Sequence, residues 1–381
     1  MSDDPNRDPN PEPTADGPGE GATPVEMTTP WRRDLGEVGE LLAAWAQARV
    51  GPDAVVTDAA SPGNGMSSET VLFVMTVGGE TRRYAARLAP ALDVYPVFRD
   101  YDIELQARCM RVVREHTAVP APEVCWVELD PTWLGTPFRV MGRIDGEAPP
   151  DIPPYVFEGW VLDATPAQRA ALQRRTVEAL VGIHSISADA VDLAFLDRDA
   201  PGATPLRRQL GAQREYYEWA RDGITYPLIE RTFAWLEEHF PPEGPAVCLW
   251  GDARIGNVLY RDFTPVAVLD WEMAALGPRE VDVAWMIFLH TFFDDLAVRF
   301  GLPGMDDLMQ RDAVVADYEE LSGVRLGDLT WFAVFAALRF AIVSVRTSTR
   351  GIAYGQMEQP ADPDDLIMFR GLLTRMLDGE A

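Results

Sequence analysis

Hydrophobic and polar positions follow two different periodicities along the chain, one typical of helices and one typical of strands. Just after Trp31, apolar residues recur at helical spacing as far as Trp45, which predicts an amphipathic first helix. Thr70 to Val77 is an apolar, β-branched run, Gly78-Gly79 follows it, and Arg83 to Leu88 continues on the other side. These runs predict two strands joined by a hairpin turn.

The next segments alternate between helix and extended chain. We predict a helix over Ile103 to Arg114, an extended segment over Val119 to Val124, where X-Pro disfavours helix, and a buried strand over Phe138 to Ile144. Beyond Gly146 the pattern changes. Thr165-Pro-Ala-Gln168 is typical of a helix start with a capping box.

The rest of the chain is mainly helical. We predict two helices within 206–240, strands and turns from 247 to 270, and helices after that. The fold class is therefore α+β, and the domain boundaries follow from this order. Residues 1–28 are an acidic, Pro/Gly-rich tail with too few apolar residues to bury a core, 29–141 a small sheet-rich unit, 142–146 a connector, and 147–381 a larger helical unit. Two such units place a ligand cleft at the connector.

The composition limits the kinds of ligand and partner that this chain is expected to bind. The net charge of −27 opposes binding to nucleic acid or an anionic membrane, permits a cationic ligand, and also serves solubility. The three cysteines and four histidines are scattered, which predicts neither a disulfide framework nor a zinc site. The longest apolar run, Phe332 to Val345, is short and contains Arg339. No signal-peptide pattern is present, and we expect a cytoplasmic protein.

The chain contains no lysine, since all 33 basic residues are arginine. A Schiff base on a protein lysine is excluded, and so is a standard P-loop, which needs Gly-Lys-Ser/Thr. Any phosphate must therefore be bound by arginine.

The densest chemical signal is the segment Leu249 to Tyr260. Asp252 and Asn257 lie five residues apart in a turn-rich stretch, and the strand that follows ends in Asp270-Trp-Glu272. An acid, an amide and a second acid suit phosphoryl transfer, in which one carboxylate receives the hydroxyl proton and the other groups hold Mg²⁺ on the nucleotide. Asp270 and Glu272 are two apart in chain we expect to be extended, so both can face the cleft.

This segment resembles the Asp-x₄-Asn catalytic loop and metal-binding Asp of the aminoglycoside phosphotransferase family, which is related to protein kinases. The resemblance extends over nearly all of 35–375 and includes the kinase-like domain of acyl-CoA dehydrogenase family members 10 and 11. It implies a protein-kinase-like, two-lobed fold with ATP and Mg²⁺ as cofactors. Asp252 would be the catalytic base, and Asn257 and Asp270 the metal ligands, with Glu272 beside them. Asp282, which ends a family-like Gly-Pro-x-x-x-Asp stretch, would support the loop.

The resemblance also assigns nucleotide-binding positions in the first unit. Arg87 would pair with the α- and β-phosphates, and Glu104 would orient that cation or simply lie on a solvated helix face. Met141 would line the adenine pocket, while the backbone groups of Gly142 and Ile144 would bond the adenine edge. A turn-rich loop would cover the phosphates, unless it is an ordinary β-turn: Gly63, Asn64, Gly65, Met66, Ser67 and Ser68.

Two positions depart from the family pattern or remain open. Trp250 stands where the family often has a histidine that supports the loop. Arg254, within the loop, either reaches the γ-phosphate as a catalytic group or pairs with a neighbouring acid.

The expected activity is transfer of the γ-phosphate to a hydroxyl of a small molecule, either aminoglycoside-like or another hydroxylated metabolite. A hydroxyacyl or hydroxy-acid acceptor is an alternative, because an aromatic and proline-rich insert, Pro149 to Tyr155 together with Phe157 and Trp160, could line a less polar pocket. A nucleotide-binding pseudokinase with a regulatory role is the alternative from another class, motivated by Trp250 and the missing lysine. The sequence does not indicate an oligomeric state.

Overall fold

The computed structural model describes residues 33–62, 69–90, 95–186 and 191–380. The predicted tail, 1–28, and the predicted phosphate-covering loop, 63–68, lie outside them. The first part of the chain contains two helices and five strands: α1 (Leu35–Arg49), β1 (Val55–Ala60), β2 (Glu69–Val77), β3 (Glu80–Leu88), α2 (Ile103–His116), β4 (Val124–Glu128) and β5 (Phe138–Gly142).

The five strands form one antiparallel sheet in the order β1-β2-β3-β5-β4. The predicted hairpin is confirmed, since Val77 pairs with Glu80 around Gly78 and Gly79, which have φ of +58° and +79°. Glycine suits both positions because it adopts positive φ at no steric cost. β3 is the central strand of this sheet.

The sheet and α1 enclose the smaller of two hydrophobic cores. Trp45 of α1 is 1% exposed and meets Phe138 edge-on, with ring centroids 5.3 Å apart. α2 behaves differently, because its inner residues Cys109, Met110 and Val113 belong to the larger core that the helices after β5 build. The helix thus connects the sheet to the rest of the protein.

The remaining part is mostly helical, as predicted. Its elements are α3 (Pro166–His184), α4 (Pro205–Ala220), α5 (Pro227–Glu238), β6 (Ala246–Leu249), β7 (Val258–Arg261), β8 (Thr264–Val268), β9 (Ala275–Pro278), α6 (Glu280–Arg299), α7 (Arg311–Ser322), α8 (Thr330–Ala353) and α9 (Arg370–Asp378). β6 pairs with β9, and β7 pairs with β8, in two small antiparallel ribbons.

The predicted capping box at the start of α3 is confirmed. The Thr165 side chain accepts from the Gln168 backbone N–H, and the Gln168 side chain accepts from the Thr165 backbone N–H at 2.9 Å. α8 is long and apolar enough to cross a membrane by composition, yet 72% of its most apolar window is buried inside the protein. It therefore serves as a core helix that packs against α6.

The predicted strand over Phe138 to Ile144 is two residues too long. β5 ends at Gly142 because the chain then leaves the sheet to pair with the β7–β8 ribbon, where Glu147 and Tyr260 exchange backbone hydrogen bonds of 2.9 and 2.8 Å. Gly146 lies in the crossing, where a Cβ would come within 2.9 Å of the Leu259 side chain. The turn after β5 brings the sheet and the segment 250–272 to the same cleft.

Candidate active site

The segment after β6 is held in place by one buried carboxylate. Asp282, at the start of α6, is fully buried and accepts from the backbone N–H groups of Trp250 at 2.7 Å and Gly251 at 3.0 Å. His184 of α3 lies 3.1 Å from the same carboxylate. Gly251 has φ of +89°, and a Cβ there would lie 2.0 Å from the Met273 carbonyl oxygen, so only glycine fits. Asp282 thus has the supporting place that the sequence predicted.

Trp250 replaces the expected histidine and still supports the loop. Its Nε1 donates to the Leu269 carbonyl oxygen at 2.8 Å, and the Leu269 N–H donates to the Asn257 carbonyl oxygen at 2.8 Å. Both backbone groups of Leu269 are therefore fixed to the loop. Because Asp270 follows directly, its position relative to Asp252 and Asn257 is fixed as well.

The Asp252 carboxylate is surrounded by donors. Trp285 Nε1 of α6 donates to Oδ1 at 2.7 Å, Asn257 Nδ2 donates to Oδ2 at 2.6 Å, and Arg254 Nε lies 3.2 Å from both oxygens. Asp252 is 8% exposed. Three donors hold this carboxylate in one orientation, which gives it the fixed geometry that a general base requires.

Arg254 pairs with acids, which was one of the two expectations. Its Nη1 donates to both oxygens of Asp151, at 2.7 and 2.6 Å. Burial alone would lower the pKa of Arg254, but the charges of Asp151 and Asp252 raise it above its ordinary value. Asp151, in the segment after the connector, therefore neutralises the cation next to the predicted base. The sequence analysis did not single out Asp151.

The structure brings Arg87 of β3 and Asp270 together. Arg87 Nη2 donates to Asp270 Oδ2 at 2.8 Å, and Nη1 donates to Thr70 Oγ1 at 3.1 Å. Burial would lower the pKa of Arg87, whereas the charges of Asp270 and Glu272 raise it. Arg87 Nε and Asp270 Oδ1 are buried without a hydrogen-bond partner.

The expectation that Asp270 and Glu272 lie in extended chain is wrong. β8 ends at Val268, Asp270 has φ of +58°, and Glu272 lies in a turn. The segment bends because both backbone groups of Leu269 are committed to the catalytic loop. The charges of both acids nevertheless raise the pKa of Arg87, so both lie near this guanidinium.

Of the two expectations for Glu104, the structure supports the solvated helix face and contradicts the pairing with Arg87. Glu104 lies on the exposed side of the first turn of α2, while Gln106 faces inward. Gln106 Oε1 accepts from Nη1 of Arg139, the cross-strand neighbour of Arg87 on β5, at 2.7 Å. The inward face of α2 therefore carries the Gln106 amide and not the Glu104 carboxylate. Arg87 pairs with Asp270 instead.

Arg139 is a buried cation that sequence reasoning missed. It is 2% exposed, and burial together with the charge of Arg87 lowers its pKa to about 10. Its Nε is a third buried polar atom in this region without a hydrogen-bond partner. The strand pattern could have indicated this arginine. Phe138 and Val140 are apolar and lie on one face of the strand, so Arg139 lies on its other face.

The predicted adenine-binding positions surround the end of β5. Met141 is 6% exposed and belongs to the larger core. The Gly142 N–H donates to the Glu123 carbonyl oxygen at 2.9 Å, and a Cβ at Gly142 would meet nothing within 4 Å. Ile144 follows as a half-buried residue. Open space beside the strand end is what an adenine ring would need, and the roles of these residues remain predictions.

The donor set fits Mg²⁺. Asp270 offers a buried carboxylate oxygen without a partner, and because Nδ2 of Asn257 is bonded to Asp252, its amide oxygen is the atom left for a metal. In the part of the chain that the structure describes, no group of three or more His, Cys, Asp or Glu residues could hold a metal by itself. Mg²⁺ usually takes one or two carboxylates and completes its shell with water and substrate phosphates.

A small pocket has Arg254 in its wall. It lies between the catalytic loop, the insert that carries Asp151, and α6, and its free space is about that of one water molecule. The aromatic residues of this insert have separate tasks. Tyr155 lines the pocket, Phe157 packs against Phe300, and Trp160 packs against Tyr260 and Phe263.

Comparisons with known proteins agree with this geometry. Residues 58–323 match the model of the phosphotransferase enzyme family. An Arabidopsis thaliana protein with the name of an acyl-CoA dehydrogenase, IBR3, is 28% identical over 58% of this chain, and mouse acyl-CoA dehydrogenase family member 10 is 26% identical over 54%. These matches span 27% and 19% of the two relatives, so this chain corresponds to about a quarter or less of their length.

Solved structures show the same fold. A candidate aminoglycoside phosphotransferase from Ralstonia eutropha superposes with a TM-score of 0.62 at 22% identity, with 90% of this chain and 97% of that chain covered. Aminoglycoside phosphotransferase APH(4)-Ia gives a TM-score of 0.54 at 16% identity, with 90% and 99% covered. The architecture is thus the kinase-like α+β fold, with an amino-terminal antiparallel sheet and a helical carboxyl-terminal region. The family match, which spans most of the chain and contains the whole catalytic loop, places this protein in the phosphotransferase enzyme family.

Proposed function

We propose that this protein is an ATP- and Mg²⁺-dependent kinase that transfers the γ-phosphate to a hydroxyl group of a small molecule. The observation that carries the proposal is the Asp252 carboxylate, which Trp285, Asn257 and Arg254 hold in one orientation beside the metal-binding candidate Asp270. A fixed base, a metal site and a buried cation are the parts that phosphoryl transfer needs.

Each residue then has a defined task. Asp252 accepts the proton of the acceptor hydroxyl while the hydroxyl oxygen attacks the γ-phosphorus, whose bond to the bridging oxygen breaks and releases ADP. Oδ1 of Asp270 and the amide oxygen of Asn257 would hold Mg²⁺, which neutralises charge on the phosphates when bound. Arg87 would contact the α- and β-phosphates through its planar fork, in place of the lysine this chain lacks.

Arg254 is better suited to positioning than to the γ-phosphate. Its Nη1 is bound to both oxygens of Asp151, and its Nε faces Asp252. An arginine held by two carboxylates must break one strong ion pair before it can reach a phosphate. It holds the Asp252 carboxylate in its orientation without such a rearrangement.

The relatives suggest several acceptors. A thermostable mutant of APH(4)-Ia was crystallised with AMP-PNP and hygromycin B, and the ethanolamine kinase of Plasmodium vivax has a similar fold. A homoserine kinase of Beijerinckia indica is 27% identical over 59% of this chain. The acyl-CoA dehydrogenase relatives favour a hydroxyacyl or hydroxy-acid acceptor instead. A hydroxyl group is common to all of these acceptors.

The test is an acceptor screen that detects phosphorylated product. Purified protein is incubated with ATP and Mg²⁺ and with aminoglycosides, amino alcohols and hydroxy acids, and mass spectrometry reports the gain of one phosphate. We expect transfer to at least one class, and loss of transfer in Asp252→Asn. ATP binding without transfer to any acceptor would support a regulatory pseudokinase and contradict the proposal.

A further inference from the structure

A buried arginine lies in an otherwise apolar stretch of α8. Arg339 is the one charged residue between Thr330 and Val345 in the sequence, and it is 4% exposed. Taking a charged group out of water is unfavourable unless the groups around it compensate for the lost hydration. The position of this cation must therefore be explained by what its side chain faces.

Arg339 faces the backbone of the catalytic loop. Its Nη2 donates to the Gly251 carbonyl oxygen at 2.7 Å, and the Gly251 N–H donates to Asp282 at 3.0 Å. Both backbone groups of Gly251 are thus bonded, one to a side chain of α8 and the other to a side chain of α6. Because Gly251 directly precedes Asp252, these two bonds fix the direction in which the chain enters the predicted base.

A second connection runs from Arg339 to Asp252 through Trp285. The guanidinium carbon of Arg339 lies 4.3 Å from the centroid of the Trp285 ring, and Trp285 Nε1 donates to Asp252 Oδ1 at 2.7 Å. A cation over an aromatic face is attracted to the ring and restrains its orientation. It also draws electron density from the ring, which makes the indole N–H a stronger donor to the carboxylate.

The charges around Arg339 come from the same loop. Burial lowers the pKa of Arg339 to about 10, while the charges of Asp282 and Asp252 raise it and the charge of Arg198 lowers it. Among the described residues, Nη1 of Arg339 has no hydrogen-bond partner. The two carboxylates that shape the loop are therefore the main compensation that the described residues offer this cation.

We propose that Arg339 is a positioning residue for phosphoryl transfer, and that it holds the Asp252 carboxylate in place through the Gly251 backbone and the Trp285 indole. The inference rests on the proposed function, because Asp252 needs this orientation only if it accepts a proton. Arg339 acts through these two groups, so its loss should slow the chemical step and leave ligand binding nearly unchanged.

Arg346 provides a matched control on the same helix. It lies two turns further along the same face of α8 and is 6% exposed. Its Nε donates to the Pro96 carbonyl oxygen at 2.9 Å, and its guanidinium carbon lies 3.7 Å from the Tyr95 ring centroid and 4.1 Å from that of Trp219. Arg346 thus has the same kinds of contact as Arg339, but with other segments of the chain.

Transfer kinetics with an acceptor from the screen test the role. In Arg339→Met, kcat should fall about ten- to a hundred-fold, which is part of the ~10²–10⁴-fold that general-base catalysis contributes. The KM values and the Kd of ATP should stay within about three-fold, and Arg346→Met should keep the wild-type kcat. Equal falls of kcat in the two variants, or a raised KM with unchanged kcat in Arg339→Met, would overturn the proposal.

A double variant tests whether Arg339 acts through the base. Groups that work as a unit lose their effect once, so Asp252→Asn combined with Arg339→Met should transfer phosphate no more slowly than Asp252→Asn alone. If the two losses multiply instead, Arg339 acts independently of Asp252 and the proposal is wrong.

Nuclear magnetic resonance of the indole N–H gives a readout that needs no substrate. In isotopically labelled protein, the Trp285 indole signal is identified by its loss in Trp285→Phe. It should move upfield in Arg339→Met, because the N–H donates less strongly to Asp252, and it should stay in place in Arg346→Met. Arg339→Gln keeps a donor for the Gly251 carbonyl oxygen and gives a second reading if Arg339→Met does not fold. An unmoved signal in the folded Arg339 variants would contradict the proposal.

The two readouts separate this inference from the proposed function. If the indole signal moves as expected but no acceptor is phosphorylated, the connection from Arg339 to Asp252 stands and the kinase proposal fails. If an acceptor is phosphorylated and Arg339→Met transfers phosphate as fast as the wild type, the kinase proposal stands and the positioning role is wrong.

Discussion

Arg87 Nη2 donates to Asp270 Oδ2 at 2.8 Å, although the two residues are 183 positions apart in sequence. The cation expected on the nucleotide phosphates and the acid expected on the metal therefore neutralise each other. Their remaining polar atoms, Arg87 Nε and Asp270 Oδ1, are buried without partners. A nucleotide with its metal would satisfy both atoms and leave the ion pair intact, so the pair orients the two groups in advance.

The first prediction concerns Arg87→Ala. Loss of the guanidinium should weaken ATP binding by about ten- to a hundred-fold, the worth of a hydrogen bond to a charged group. Adenosine binding should change little, because it has no phosphates. The control is Arg83→Ala on the same strand, which removes an exposed ion pair with Asp145 and should leave both affinities unchanged. Calorimetric titration measures them, and equal losses for ATP and adenosine in Arg87→Ala would contradict the assignment.

The second prediction concerns Asp270→Ala and the metal. Binding of ATP with Mg²⁺ to the native state should stabilise the wild type by about 2.7 kcal/mol at a hundred times Kd. In Asp270→Ala the Mg²⁺-dependent part of this stabilisation should vanish, since the buried carboxylate oxygen is gone. Thermal unfolding with ATP, in Mg²⁺ and in EDTA, measures the difference. A Mg²⁺-dependent shift as large as that of the wild type would show that Asp270 is not a ligand.

The third prediction concerns Asp252→Asn. The variant keeps size and shape but cannot accept the hydroxyl proton, so phosphoryl transfer should fall by at least ~10²-fold. ATP affinity should stay within a few-fold, because a base acts mainly in the transition state. The control, Asp262→Asn, makes the same change in an exposed turn, where asparagine tolerates the φ of +49°. Phosphorylated acceptor must be measured, and wild-type transfer by Asp252→Asn would show that the loop has another role.

The fourth prediction concerns the stability of the loop. Asp282→Ala removes the acceptor of two buried backbone N–H groups and the partner of His184. We expect a loss of about 3–5 kcal/mol in the free energy of unfolding, since each unsatisfied buried donor costs about 1–3 kcal/mol. Asp306→Ala, at an exposed position, should change it by less than about 0.5 kcal/mol. Urea denaturation measures both, and a similar small loss in the two variants would refute the supporting role.

The fifth prediction concerns alkaline pH. Burial and the nearby charge of Asp282 raise the pKa of Cys248 to about 12, compared with about 8.5 in an unfolded chain. The thiol therefore stays protonated in the native state while the unfolded state loses its proton, so stability falls as pH rises above about 8.5, by about 1.4 kcal/mol per pH unit for this group. Urea denaturation at pH 8.5 and pH 10 should show Cys248→Ala losing about 2 kcal/mol less than the wild type. Equal losses would mean that Cys248 ionises as freely in the native state.

Local patterns were the most predictable part of the molecule. The capping box at Thr165 and the turn at Gly78-Gly79 depend on neighbouring residues, and both are confirmed. The bend at Asp270 could not be predicted, because it results from hydrogen bonds of Leu269 to residues 250 and 257.

The site residues within one sequence motif were predictable, whereas those contributed by distant elements were not. Asp252, Asn257 and Asp270 share a compact pattern, whereas Trp285 reaches Asp252 from α6 and Asp151 reaches Arg254 from 103 residues away. The resemblance placed Glu104 beside Arg87, whereas the helix phase of α2 exposes that side chain, which was the alternative expectation.

The arginine at position 87 also determines how this enzyme can be detected. Reagents that acylate an active-site amine need a nucleophilic lysine, and a guanidinium that stays protonated does not react with them. Since the chain contains no lysine, ATP-directed acylating probes would leave its nucleotide site unlabelled. Surveys of kinases that rely on such labelling would not count this protein, however active it is.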